Sequence, residues 1–485
     1  MKHLYSFRHK KCFYFLTGIF LSCLIIFNYS FSSYAVRDYR AEAEERKKMT
    51  VETNQYINWP TGPEIGAESA ILMEANTGAI LYAKNVHAQL YPASITKIMT
   101  VMIALENSSL DEMVAFSDAA IDNTEGSGIA RDYGEIMSME DCLYAIMLAS
   151  ANECAYAVAE HVAGDIETFA AMMNEKAKEL GCVNTHFVNP HGLHDADHYT
   201  CSYDMALIGQ AAYENETFRI ITGTKARMIP PTNKHEEETP LQNHNKLLHR
   251  YQKGNYVYEY CTGGKTGYTT NANSTLVTFA EKDGMALVSV VMNTDNVSEW
   301  TDSVSMFNYG FGNFHLVNVA ENEMNYGVQE EMQDGSLGST EPFVMLAKDA
   351  YVVLPNTAEF SEVKSTIAYN DEVSEVAGTI TYTYADRVVG KADIVATGVQ
   401  VEEFVFDNQK NVVTNETDDT TIRIKPMMIV GILVAIVILA ALILVGKYLY
   451  DNYYIIRHNL SIRSDRKSRF KEIKERKSRR RRRRF

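Results

Sequence analysis

The sequence predicts an α+β domain, then a small all-β domain, then a C-terminal transmembrane helix. Three observations predict it. Between about residues 62 and 318, strand-like apolar runs give way to helical periodicities and then return, the order of an α+β fold. From about 340 to 405 the chain reads as strands with no helical period. Residues 427–446, MMIVGILVAIVILAALILVG, are uncharged over a length that at ~1.5 Å per residue crosses a ~30 Å hydrocarbon core.

The elements follow in order. Lys2, Arg8, Lys10 and Lys11 precede an apolar stretch from Phe13 to Phe27, and small residues sit at Ser33 and Ala35, which makes residues 1–35 a secretory signal with an uncleaved anchor as the alternative. Residues 36–61, including RAEAEERKKM, are polar and charge-mixed and read as a linker or short exposed helix. In AESAILMEANTGAILYAKN, two apolar runs flank the turn residues Asn76-Thr77-Gly78. Helical periods follow over Ser94 to Glu106, over 137–164 and over ETFAAMMNEKAKELG, which ends at the C-capping Gly181. STLVTFAEKDGMALVSVVMNT then restores strands joined at Asp283-Gly284, and PFVMLAKDAYVVLP and GTITYTYADRVVGKADIVAT supply the all-β domain over 319–405. A polar stalk over 406–426 leads to the span, and 447–485 form a basic tail.

Charge is unevenly placed along the 485 residues. The tail holds 16 Lys/Arg against 4 Asp/Glu, about +12, and the first 35 residues add about +4, so the net charge of −16 leaves the middle near −32. So acidic a segment is unsuited to nucleic acid. Positive residues stay on the cytoplasmic side, which places the tail inside and the acidic middle outside a cell membrane crossed once. Of seven cysteines, two lie in the signal. The other five, Cys142, Cys154, Cys182, Cys201 and Cys261, lack CxxC spacing, which argues against a thiol redox motif or zinc ribbon. Cys182 and Cys201 are a candidate bridge that spacing alone does not establish.

PASITKIMT, residues 92–100, sets Ser94 and Lys97 one helical turn apart, so the two share a face. Ser94 is then either a helix cap or a nucleophile with its base beside it. Apolar Ile95, Ile98, Met99, Val101 and Met102 would bury the lysine and disfavour its charged form, as a general base requires. Ser150 and Asn152 interrupt the apolar stretch AIMLASANECAYAVA, where polar groups cost stability unless paired. Lys265-Thr266-Gly267 follows Gly263-Gly264 and precedes Tyr268; glycines there let a strand come close to a ligand. HGLHDADH offers His191, His194, His198, Asp195 and Asp197 as ligands, but Gly192 breaks the helix that a His-x-x-His metal site needs, and no metal or cofactor is expected.

Taken in order, Ser-x-x-Lys, Ser-x-Asn and Lys-Thr-Gly are the trio of penicillin-binding proteins and serine β-lactamases. The sequence resembles the D-alanyl-D-alanine carboxypeptidases, the low-molecular-mass penicillin-binding proteins, from about 66 to 318 through ANTGAILYAKN, PASITKIMT, MLASANECAYAVAEHVAG, NHNKLL and GGKTGYT, and through VVGKADIVA in the second domain. It departs from their pattern at Glu74, at Glu153 and in TTNANSTLV. The resemblance implies a penicillin-binding-protein-like catalytic domain acting on peptidoglycan stem peptides and acylated by β-lactams. It implies Ser94 as nucleophile, Lys97 as base, Ser150 as proton relay and Asn152 as holder of the substrate amide. Lys265 and Thr266 would bind the terminal carboxylate, with Gly267 between them and Tyr268, whose backbone N–H would join that of Ser94 in an oxyanion hole. HGLHDADH would be a structural loop beside the site.

A class A β-lactamase would need a water-positioning glutamate, for which the sequence offers no equivalent loop. A membrane-tethered β-lactam sensor is the second reading, disfavoured because 447–485 carry no folded module. Endopeptidase action on crosslinked peptides would use the same site.

Overall fold

The computed structural model describes residues 38–252, 254–323, 344–370 and 376–396, all within one compact unit, Met1–Val401. The signal, stalk, span and tail read from the sequence lie outside the described residues. Among the described residues no helix is long and apolar enough to cross a membrane.

Helix α1 (Tyr39–Lys47) opens the described chain. The stretch expected to be a linker or short exposed helix does hold a short helix, but it is docked: Ala43, Val51 and Trp59 are buried, and Trp59 Nε1 donates to Leu81 O at 2.9 Å. The buried Lys84 ammonium draws in the end of α1, because it is satisfied by three carbonyls, those of Arg46, Ile65 and Ala67, at 2.7 to 2.8 Å.

Strands β1 (Ser69–Glu74) and β2 (Ile80–Lys84) form the expected hairpin. Helices α2 (Lys97–Asn107), α3 (Asn152–Ala163) and α4 (Ser202–Glu214) precede strands β3 (Cys261–Thr269), β4 (Asn273–Lys282) and β5 (Met285–Thr294). The five strands pair antiparallel in the order β2-β1-β5-β4-β3, which leaves β3 at an edge. Successive residues point to opposite faces: Ile71 and Met73 pack with the helices, whereas Ala70 and Leu72 join Trp59, Trp300 and Phe307 behind the sheet. Helix α5 (Ser298–Asn313) covers that second face. Helix α2 is buried from Lys97 through Ala104, as expected of a helix that is apolar all round.

The helical pattern over 137–164 breaks in two. A short helix (Met139–Tyr144) runs into a π turn at Ala145–Ala149, and Ser150 then turns left-handed at φ 61° before α3 begins. Likewise Ala93–Thr96 form a 3₁₀ turn ahead of α2.

Cys182 and Cys201 are not bridged, and the five cysteines of the described chain are free thiols. Both thiols serve the first turn of α4 instead: Cys201 Sγ accepts from Asp204 N at 3.5 Å, and Cys182 Sγ donates to Asp204 O at 3.7 Å.

The second sheet takes in β6 (Phe314–Asn318), a stretch the sequence placed in the first domain. Its other strands are β7 (Val344–Leu346), β8 (Tyr351–Pro355), β9 (Lys364–Tyr369), β10 (Val376–Tyr384) and β11 (Arg387–Ala396). The order is β6-β8-β11-β10-β9, with β7 also on β11. Arg387 fastens this sheet to the first, its guanidinium 4.7 Å from the Tyr56 ring and donating to Ile80 O at 2.8 Å.

Candidate active site

Ser94 is not a cap. Ala93, immediately before it, is held at φ 52°, a left-handed conformation that non-glycine residues rarely keep without surrounding constraint. The resulting turn makes no side-chain cap hydrogen bond, and Ser94 Oγ lies 3.0 Å from Lys97 Nζ. That lysine is fully buried, and Nζ is also 2.6 Å from Asn152 Oδ1 and 2.6 Å from His191 O. Burial first, and the Lys265 charge second, hold its ammonium well below the ordinary range. A neutral amine has two hydrogens and one lone pair. Two carbonyl-type acceptors take the hydrogens, so the lone pair is left for the Ser94 hydroxyl.

The His191 carbonyl reaches Lys97 because residue 192 is glycine. A side chain there would meet the Ala93 carbonyl at 1.9 Å, and φ is 81°. His198 steadies the same turn: Nδ1 accepts from Val188 N at 3.1 Å, so the proton sits on Nε2 and is donated to Thr96 Oγ1 at 2.9 Å. Burial lowers the pKa of His191 and His198 to about 3, and both are neutral. His194 meets the edge of the Tyr91 ring and the Asn271 amide. These histidines brace a loop, and the described residues contain no His, Cys, Asp and Glu cluster suited to a metal ion.

The left-handed turn at Ser150 carries both residues of Ser-x-Asn into the cleft. Asn152 donates one amide hydrogen to Glu125 O, accepts from Lys97 at its oxygen, and donates its backbone N–H to Ser127 O at 2.9 Å. Ser150 Oγ lies 3.0 Å from Lys265 Nζ, which also donates to Thr266 O at 2.7 Å. Lys265 is buried, and its pKa is lowered to about 7 by that burial. The edge position of β3 leaves backbone groups free beside the nucleophile. Gly267 permits the approach, since a Cβ there would stand 2.8 Å from Ser94 N and 3.0 Å from Pro92 O.

All three motifs therefore converge on one cavity of about 550 Å³, lined by Ser94, Ser150, Thr266, Gly267 and Tyr268. Ser127 and His244 are among the further lining residues that the sequence motifs do not mark. His244 sits between Asn243 and Asn245, whose amides bind Thr222 O and Gly263 O and so fix the start of β3. Burial and the neighbouring Lys265 lower its pKa to about 4. A polar Asn-His-Asn run in front of a strand was the available signal. Nothing in Gly126-Ser127-Gly128 points to the cleft.

Residues 56–296 match the family model of D-alanyl-D-alanine carboxypeptidases. The D-alanyl-D-alanine carboxypeptidase DacF of Bacillus subtilis is 32% identical over 321 residues, covering 64% of this chain and 77% of that one. The chain belongs to the D-alanyl-D-alanine carboxypeptidase family. DacA of Haemophilus influenzae is 28% identical, over 69% of this chain and 85% of that one. Among solved structures, penicillin binding protein 5 from Haemophilus influenzae superposes with a TM-score of 0.54 at 26% identity, over 70% of this chain and 98% of that one. For a carboxypeptidase of this family, the cleft supplies a nucleophile with one buried lysine amine beside it and a second buried lysine beyond it.

Proposed function

We propose that the protein is a serine-type D-Ala-D-Ala carboxypeptidase that trims peptidoglycan stem pentapeptides and is acylated by β-lactams. Ser94 Oγ bonds to the carbonyl carbon of the penultimate D-alanine while its proton moves to Lys97 Nζ. The C–N bond then breaks, Ser150 relays that proton to the departing nitrogen, and D-alanine leaves. Water attacks the ester, gives its proton to Lys97 and restores Ser94. The N–H groups of Ser94 and Tyr268 face the developing oxyanion, where one lost donor costs ~10² to 10³ in rate. Asn152 orients the substrate amide, and Lys265 with Thr266 takes the terminal carboxylate through a charge-assisted contact and a hydroxyl.

The observation carrying this reading is the Lys97 amine, whose two hydrogens are committed and whose third contact is Ser94 at 3.0 Å. The test uses the full chain in detergent micelles and its Ser94→Ala variant, treated with fluorescent penicillin and with a peptide ending in D-Ala-D-Ala. Labelling and D-alanine release both vanish in the variant. Labelling of the unaltered protein without release would favour a sensor or an endopeptidase.

A cell-membrane location belongs to the same proposal: signal 1–35, catalytic and β domains outside, span 427–446 and basic tail inside. The support is the uncharged span and the sixteen-cation tail. In intact cells an external protease would cut the stalk and spare an epitope on the tail.

A further inference from the structure

We propose that a second cavity, of about 330 Å³, is a subsite for the amino sugar that carries the stem peptide. The inference rests on the carboxypeptidase reading and deepens it.

The cavity is built by a local pairing. Leu90 and Thr200 exchange backbone hydrogen bonds as an antiparallel bridge, at 2.8 and 2.9 Å, which places Tyr91 opposite Tyr199 on one face. Pro92 follows and ends the pairing, because it has no N–H to give. The two rings are braced by histidines, Tyr91 against His194 with centroids at 4.6 Å and Tyr199 against His186 at 5.9 Å. Gln89 and Asn271 supply amides around them, and the Asn293 amide beside them is held by Arg46, Asn273 and Glu68. No charged side chain lines the space.

That composition selects the ligand class. A charged third-residue amine or a glutamate carboxylate would find no counter-ion here. Aromatic faces beside amide donors and acceptors match a neutral sugar bearing hydroxyls and an acetamido group. The volume lies at the lower end of the range of small-molecule sites, about 300 to 1,000 Å³.

Position agrees with chemistry. Lys265 and Thr266 hold the carboxyl end of the substrate and Tyr268 lies at the scissile carbonyl, so the upstream residues run on past Tyr268 toward the β3–β4 turn. Asn271 in that turn is three residues beyond Tyr268, and Tyr91 is three residues before Ser94. At ~3.3 Å per residue three residues reach at most about 10 Å, so the cavity begins within the ~13 Å that the four upstream stem residues span. The sugar is the part of the substrate that arrives there.

The test compares D-alanine release by the full chain in detergent from L-Ala-D-isoGlu-L-Lys-D-Ala-D-Ala and from the same peptide on N-acetylmuramic acid. The sugar-linked peptide is expected to have a kcat/KM about tenfold higher, the worth of one or two such contacts. Tyr199→Ala and Asn271→Ala should abolish the preference while leaving the free peptide's kcat/KM and the penicillin acylation rate unchanged. Equal kcat/KM for the two substrates in the unaltered protein would overturn the subsite. A preference that survives both substitutions would overturn it too. Absence of release from either substrate would instead remove the carboxypeptidase reading, and the subsite with it.

Discussion

Lys97 Nζ stands 3.0 Å from Ser94 Oγ and 2.6 Å from Asn152 Oδ1, so one amine joins the nucleophile to the Ser-x-Asn motif. The amine is useful only while neutral. Lys97→Arg keeps a donor at the site but introduces a guanidinium that does not deprotonate. Acylation by fluorescent penicillin should slow by about 10² to 10⁴, the range of a lost general base. A thermal melt within a few degrees of the unaltered protein would separate this from unfolding, and an unchanged acylation rate would remove Lys97 as the base.

Lys265 sets an alkaline limit. Its pKa is lowered to about 7 in the free protein by burial, and it must be charged to hold a carboxylate. The kcat/KM for a D-Ala-D-Ala peptide should fall as pH rises through about 7, since that parameter reports the free enzyme. Bound carboxylate raises the same pKa, so the fall in kcat should come at higher pH. Stability runs the other way. The folded protein holds fewer protons at Lys265 than the unfolded chain between about 7 and about 10.4, so this group's contribution improves with rising pH across that window. Denaturation of the unaltered protein and of Lys265→Met across that window should show the difference between them changing in that direction.

Gly267 allows β3 to lie against the nucleophile turn, and a methyl there would press on Ser94 N at 2.8 Å. The Thr275 hydroxyl, closer still, can turn aside, but Ser94 N and Pro92 O are backbone and cannot. Gly267→Ala should cost about 1 to 3 kcal/mol by overpacking and slow acylation by at least about 10² through displacement of the oxyanion donor. Urea denaturation and penicillin labelling measure the two effects. Full labelling at the normal rate would show that the strand has room to move.

Much of this site is legible in sequence because its motifs are local. Ser94 and Lys97 share a face by helical spacing alone, and the burial of Lys97 follows from the apolar residues around it. Ser150 is different: helical periodicity runs straight through Ala149-Ser150-Ala151, and only packing against the 125–128 loop reveals the left-handed turn that aims it. The second hydrogen-bond acceptor of Lys97 is a backbone carbonyl, His191 O, which no side-chain pattern encodes. The histidines around it, whose spacing Gly192 already sets apart from a helical metal site, act as braces in the fold. Residues 36–61 read as a linker or short exposed helix from their charges, yet Ala43, Val51 and Trp59 commit them to the core, Trp59 through its indole bond to Leu81 O.

The free state of Cys182 and Cys201 has a direct check. Both thiols are occupied at the first turn of α4, and burial raises the pKa of Cys201 to about 12. Alkylation in denaturant without reductant should modify both cysteines completely, as read by peptide mass, and a reductant should leave the melting temperature unchanged. Recovery of a crosslinked peptide holding both residues would restore the bridge.

Asn152 offers the sharpest test of how Lys97 is kept neutral. Its oxygen accepts from the amine without carrying charge, whereas Asn152→Asp would place a carboxylate at the same 2.6 Å. An adjacent opposite charge favours the ammonium and raises its pKa by about 1 to 3 units. The acid limb of the acylation profile should therefore move to higher pH, with activity lost near neutrality and recovered as the pH is raised. Asn152→Ala removes the acceptor without adding charge, so its loss should not recover with pH. A profile for Asn152→Asp that is lowered uniformly and not displaced would mean that Lys97 is not the group whose deprotonation limits acylation.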